Sequence, residues 1–184
     1  MEVKELLDYC RVKKISEKGY GFLTSLHYPE PVFFHFQRIK DPETKEKLEK
    51  LKRGEVYLYF TSGSKDGKRR VLKLWLDIKL ADQNLIPDFI DRIISELNSG
   101  RTNIFELAYV VKQLRENNYL TGNKLREIIS SEKILKTPSA VKAILTEGSF
   151  DAEKLSFLIE QSESKKITNE FWTDSVLDIL NSNS

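Results

Sequence analysis

Lys18-Gly19-Tyr20-Gly21-Phe22-Leu23 and, after a short loop, Val32-Phe33-Phe34-His35-Phe36 decide how the first half of this 184-residue chain is read. Taken as strands, their period-2 alternation puts Tyr20 and Phe22 on one face of the first, and Phe33 and His35 on one face of the second. Four flat rings then share a sheet surface, with Lys13, Lys14, Lys18 and Arg38 beside them. Flat faces stack on bases and cations neutralise phosphates, so these are the residues of a single-strand nucleic-acid binder. Leu23, Val32 and Phe34 are expected in the core, where aromatic and aliphatic burial dominates the energetics. Gly19 and Gly21 alternate with the rings and leave backbone open beside them, which in a strand often marks a bend or the close approach of a ligand.

In this order and at this separation, the two segments resemble the paired ribonucleoprotein motifs of the cold-shock domain, a five-stranded OB-fold barrel that binds single-stranded RNA or DNA. The resemblance implies an α+β chain in which residues 1–81 form an antiparallel barrel of this kind. It further implies base stacking at Tyr20, Phe22, Phe33, His35 and Phe36, and backbone contacts from Lys13 and Lys18. The chain departs from the family pattern twice: Lys14 stands where the family has a tryptophan, and Gln37 to Arg53 contains no ring. A stacking platform is worth about 1–3 kcal/mol per base, so these losses point to weaker or differently placed binding.

Charge divides along the same line. Residues 1–81 hold 18 Lys+Arg against 12 Asp+Glu, a net of +6, whereas residues 82–184 hold 12 against 16, a net of −4. A basic field speeds encounter with polyanions and supplies the salt-dependent part of their binding, although +6 is also compatible with plain solvation. At 40% hydrophobic and 32% charged, the composition is that of an ordinary globular chain. It contains no apolar run of membrane-spanning length, and its polar, acidic start is unlike a signal peptide, so a cytoplasmic protein without a membrane partner is expected. Cys10 is the single cysteine, which rules out an internal disulfide and a CxxC knuckle, and it is expected buried. With two histidines, His27 and His35, neither a metal site nor a catalytic triad has support. No enzyme activity, cofactor or metal is expected.

Asp41-Pro42-Glu43-Thr44 supplies an N-cap, a first-turn proline and an acid at the positive end of a helix. It opens a basic helical insert near residues 42–53, held to the barrel by Leu48 and Leu51, whose lysines serve as solvation or as a phosphate-tracking edge. Val56, Leu58 and Phe60 on one strand and Leu72, Leu74, Leu76 and Ile78 on the next are predicted to form the inward set of a hairpin. Tyr57, Tyr59 and Trp75 point the other way, and a domain interface is the favoured use for them. The tip carries Lys65, Lys68, Arg69 and Arg70, either a flexible clamp on a nucleic-acid backbone or ordinary turn solvation. Its GxxxGK is one residue short of a phosphate loop.

From residue 84 the apolar spacing becomes helical: Phe89, Ile90, Ile93, Ile94 and Leu97, then Phe105, Ala108, Val111 and Leu114, then Leu125, Ile128 and Ile129. Thr102 or Asn103, Thr137 with Pro138, and Asp151 read as helix starts, Asn98-Ser99-Gly100 and Gly148 as stops. An all-helical domain of about six helices over residues 84–184 is predicted. Its residues carry no family resemblance, and a protein partner or a homodimer are the roles it suggests, with Trp172 on the last helix as the anchor. Two functions are carried forward: a single-strand binder, RNA before DNA, acting as an RNA chaperone or regulator, and a protein adaptor whose barrel has lost its ligand.

Overall fold

Alternation of apolar and polar or glycine positions builds five strands: β1 (Asp8–Val12), β2 (Tyr20–Leu23), β3 (Val32–His35), β4 (Val56–Lys65) and β5 (Lys68–Trp75). The structure is a computed structural model that describes residues 4–12, 16–50, 56–145 and 151–182, with Arg38 described by its backbone alone. The strands form one curled sheet in the order β1-β4-β5-β3-β2. Its concave side holds Cys10, Val12, Leu23, Val32, Phe34, Leu58 and Phe60, all buried. Cys10, Leu23, Val32 and Phe34 are therefore core residues, as expected.

The sheet is mixed, which corrects the all-antiparallel expectation. Three of its four pairings are antiparallel, but β3 runs parallel to β5 through Val32↔Arg69 and Phe33↔Arg70. The cause is the long connection after β3, which carries helix α1 (Pro42–Glu49) and lets β4 land one place away. The hairpin then returns β5 into the vacant place beside β3, and a strand antiparallel to β4 has to be parallel to β3. Asp66 and Gly67 make that return in two residues, both at positive φ, as a right-twisted hairpin requires.

A second correction concerns Leu72. In β5 the register steps from Ser62↔Val71 to Thr61↔Lys73, so Leu72 is an extra residue, a bulge. Val71, Leu74 and Leu76 pack on the core, while Leu72 is 59% exposed. A bulge exchanges the two faces of a strand, so one alternation could not run from residue 71 to 78. Ile78, beyond the strand, is fully buried.

Helix α1 starts where its cap signal lies: Asp41 accepts from the Thr44 N–H at 3.0 Å, and Pro42 occupies the first turn. Leu48 is buried in the core under the curled sheet, while Lys47 and Lys50 pair with Glu43 and Glu46 one turn earlier. Those pairings favour solvation over phosphate tracking; Leu51, Lys52 and Arg53 lie outside the described residues. At the other end of the sheet, buried Asp8 accepts from the N–H groups of Tyr9 and Leu26, each at 2.8 Å, and from the Ser25 hydroxyl. Burial pushes its carboxyl above the ordinary value against the pull of those donors. The network ties the β2–β3 loop to β1.

The chain divides into two compact units, Met1–Phe89 and Ile90–Ser184. The division lies inside helix α2 (Ile86–Ser99), a few residues beyond the break in sequence pattern at 81–84. Tyr59 is buried with its ring 6.2 Å from that of Phe89, within the first unit. Tyr57 stacks on Tyr9 at 5.7 Å. In the second unit follow α3 (Ile104–Glu116), α4 (Gly122–Ile129), α5 (Glu132–Lys136), a 3-10 segment (Pro138–Ile144), α6 (Ala152–Glu163) and α7 (Asn169–Asn181). Asn103, Thr121, Asp151 and Thr168 each cap a helix by accepting from a first-turn N–H. Thr137 opens the 3-10 segment without a side-chain cap, and Gly148 lies outside the described residues. Phe105 is 55% exposed, so it leaves the apolar stripe expected for α3. Among the described residues no helix is long and apolar enough to cross a membrane.

Candidate nucleic-acid interface

The register of the β2–β3 hairpin sets Tyr20 opposite His35 and Phe22 opposite Phe33, with Gly21 opposite Phe34 between them. Residues at matched positions share a face, so Tyr20, Phe22, Phe33 and His35 form a two-by-two patch on the side away from the core. Phe22 and Phe33 meet at 5.5 Å between centroids with a 62° interplanar angle, Tyr20 and Phe33 at 5.8 Å and 33°, and Tyr20 and Phe22 at 6.3 Å, edge to face. Phe22 is 60% exposed and the other three are half-buried. Rings propped against one another at these angles leave free faces and edges toward water.

Local geometry holds the patch in place. Gly19 adopts φ 79°, accepts from the Phe36 N–H at 2.8 Å, and donates to Ser16, closing the turn that starts β2. His35 accepts at Nδ1 from the Gln37 N–H at 3.1 Å, capping the 3-10 turn Phe36–Arg38. A neutral imidazole that accepts at Nδ1 carries its proton on Nε2, so the ring is fixed in direction and offers one donor.

Gly21 has a different reason for being glycine from the one its place among the rings suggests. It is buried on the core side, where a Cβ would lie 2.6 Å from Cε1 of Phe34. The glycine makes room for a core ring, not for a ligand. Gly21→Ala is expected to lower stability by about 1–3 kcal/mol through overpacking, read as a fall in the denaturant midpoint.

Phe36 does not belong to the patch. It is 8% exposed and packs on Phe34 at 6.1 Å in the core of the sheet, on the same inward parity as Val32 and Phe34, so the alternation buries it where the family resemblance implies stacking. It is a core residue and not a stacking ring. Lys18 is exposed on the turn before β2. Arg38 lies in the 3-10 turn, and Lys13 and Lys14 lie outside the described residues.

At the hairpin tip Lys65, Lys68 and Arg70 are exposed, but Arg69 is no mobile clamp. Its guanidinium sits 3.3 Å from the centroid of the Tyr28 ring, donates to Ser62 at 3.2 Å, and pairs with Glu30 at 3.2 Å. Glu30 is held below the ordinary carboxylate range by its own backbone N–H and by Arg69. A cation so engaged pins the loop before β3 to β5.

One feature next to the patch had no sequence signal. Phe33 and His35 also line a cleft of about 980 Å³ whose other wall is β5. It depends on where two strands part, which no local pattern encodes. Among the described residues no group of His, Cys, Asp and Glu could hold a metal ion. No protein-family model, curated protein or solved structure matches this chain.

Proposed function

We propose that the N-terminal unit binds single-stranded nucleic acid, RNA before DNA, by stacking unpaired bases on Tyr20, Phe22, Phe33 and His35. The observation that carries this reading is the four-ring patch on the outer face of β2 and β3, opposite the core, with Phe22 60% exposed. A contiguous patch of rings at a sheet surface marks an interaction site, and bases are the ligands that reward flat faces without demanding shape. The basic excess of residues 1–81, and the exposed Lys18, Lys65, Lys68 and Arg70, would supply phosphate contacts. The resemblance to the cold-shock motifs supports the same reading, and a curled five-stranded sheet is compatible with a partly open OB barrel. The protein acts in this account as a cytoplasmic RNA chaperone or regulator without catalytic activity, its helical unit meeting a protein partner or a second copy.

The test is a titration of the full chain with matched RNA and DNA oligomers at two salt concentrations. Binding should weaken with salt by a log–log slope of about −0.7 for each phosphate neutralised. No binding at low salt, or recovery of a nuclease-insensitive protein partner with no bound oligonucleotide, would replace the reading with that of an adaptor.

A further inference from the structure

The cleft beside the patch exists because the parallel pairing of β3 with β5 stops at Phe33↔Arg70 while β5 runs on to Trp75. From Val71 to Trp75 the β3-facing edge of β5 therefore has no strand partner among the described residues. The gap is walled by Phe33 and His35 on one side and by Leu72 and Trp75 on the other, with Leu80 at its margin. Its volume, about 980 Å³, falls at the top of the range of small-ligand sites, which is about 300–1,000 Å³. Leu72 and Leu80 are 59% and 63% exposed, the first because the bulge turns it outward.

The charges around the cleft are unequally free. Asp41 is occupied in capping α1 and Glu43 pairs with Lys47 at 2.7 Å. Lys73 is held by Asp82 at 2.9 Å and Glu5 at 3.3 Å. Arg70 and Lys40, by contrast, make no ion pair among the described residues and are exposed. The unspent groups are thus two cations and the Nε2 donor of His35, which suit an anionic ligand.

We propose that the cleft receives a base of the same strand that lies on the ring patch, seated between Phe33 and Trp75 against Leu72, with its phosphate met by Arg70 and Lys40. This rests on the nucleic-acid reading of the patch and extends it. Phe33 and His35 belong to both surfaces, so a strand stacked on the patch needs no detour to enter the cleft. A peptide added to the free edge of β5 would satisfy backbone groups but would meet both cations only if it carried acidic side chains in register with them, whereas every nucleotide of a strand brings a phosphate.

Tryptophan emission reports on the cleft separately from the patch. Trp75 lines the cleft and Trp172, the other tryptophan, is fully buried in the helical unit. The full chain is titrated with an unlabelled short oligouridine while emission is followed, and affinity is measured in parallel by anisotropy of a labelled copy. Emission should fall on binding, and the fall should vanish in Trp75→Phe. Leu72→Glu, at an exposed position, should weaken affinity about 5- to 150-fold, the effect of losing one stacked base. Binding by anisotropy with unchanged Trp75 emission and a wild-type-like Leu72→Glu would overturn the cleft and leave the patch standing. No binding by anisotropy would overturn both. Quenching of Trp75 by an extended peptide, with none by oligouridine, would assign the cleft to a protein partner instead.

Discussion

Phe22→Ala combined with Phe33→Ala is expected to weaken binding of a short pyrimidine oligonucleotide by about 2–6 kcal/mol, from about 1–3 kcal/mol per ring. The two rings are cross-strand partners 5.5 Å apart, so removing both erases one of the two rows of the patch and leaves only Tyr20 opposite His35. Stability should fall as well, because three ring pairings are abolished, each worth about 0.5–1.5 kcal/mol, so affinity is read under conditions in which the variant is shown to be folded. The salt dependence gives a sharper criterion than affinity alone. Rings contribute the part of the free energy that counterions do not touch, so the log–log slope should stay as in the parent while the whole line drops. A changed slope would mean that the substitutions had moved the phosphate contacts, and an unchanged affinity measured by fluorescence titration would remove the patch from the binding surface altogether.

How far the sequence can be read follows from the range of each interaction. The outward rings of β2 and β3, the cap at Asp41, the Asp66-Gly67 turn and the caps at Asn103 and Asp151 are set by neighbours within a few residues, and each lies where local chemistry places it. Phe36 obeys the alternation, sharing the inward parity of Val32 and Phe34, and a stacking role for it comes from the family resemblance and not from the residue pattern. Leu72 escapes the alternation because a bulge is one unpaired residue in an otherwise regular pattern, visible only against the partner strand. Arg69 looks free in sequence because its partners, Glu30 and Tyr28, come from a loop that lies far away along the chain and is brought beside β5 by the parallel pairing. The cleft shares that cause. Where β3 and β5 separate depends on the length of the α1 connection and on the core residue Leu48 that seats it, and neither bears a mark of what it leaves open.

The same limit governs Trp172, which stands on the last helix as if available to a partner. Its side chain is fully buried, and its Nε1–H donates to the Ile129 carbonyl at 3.4 Å, joining α7 to α4. Ile128, Ile129 and Val176 are fully buried as well. The large apolar residue that does face water on this helix is Phe171, 54% exposed. Trp172→Ala is therefore expected to destabilise the protein by about 3–5 kcal/mol, the usual result of emptying a packed aromatic site. An unpaired carbonyl at Ile129 adds to that loss if water does not reach it. Far-UV circular dichroism against denaturant measures the effect, because the second unit carries most of the helix. Phe171→Ala should move the midpoint little, as surface substitutions usually change stability within about 0.5 kcal/mol. A partner anchor would behave in the opposite sense, with Trp172→Ala folding like the parent and failing only to bind. A wild-type midpoint for that variant would thus take the indole out of the core and return it to the surface.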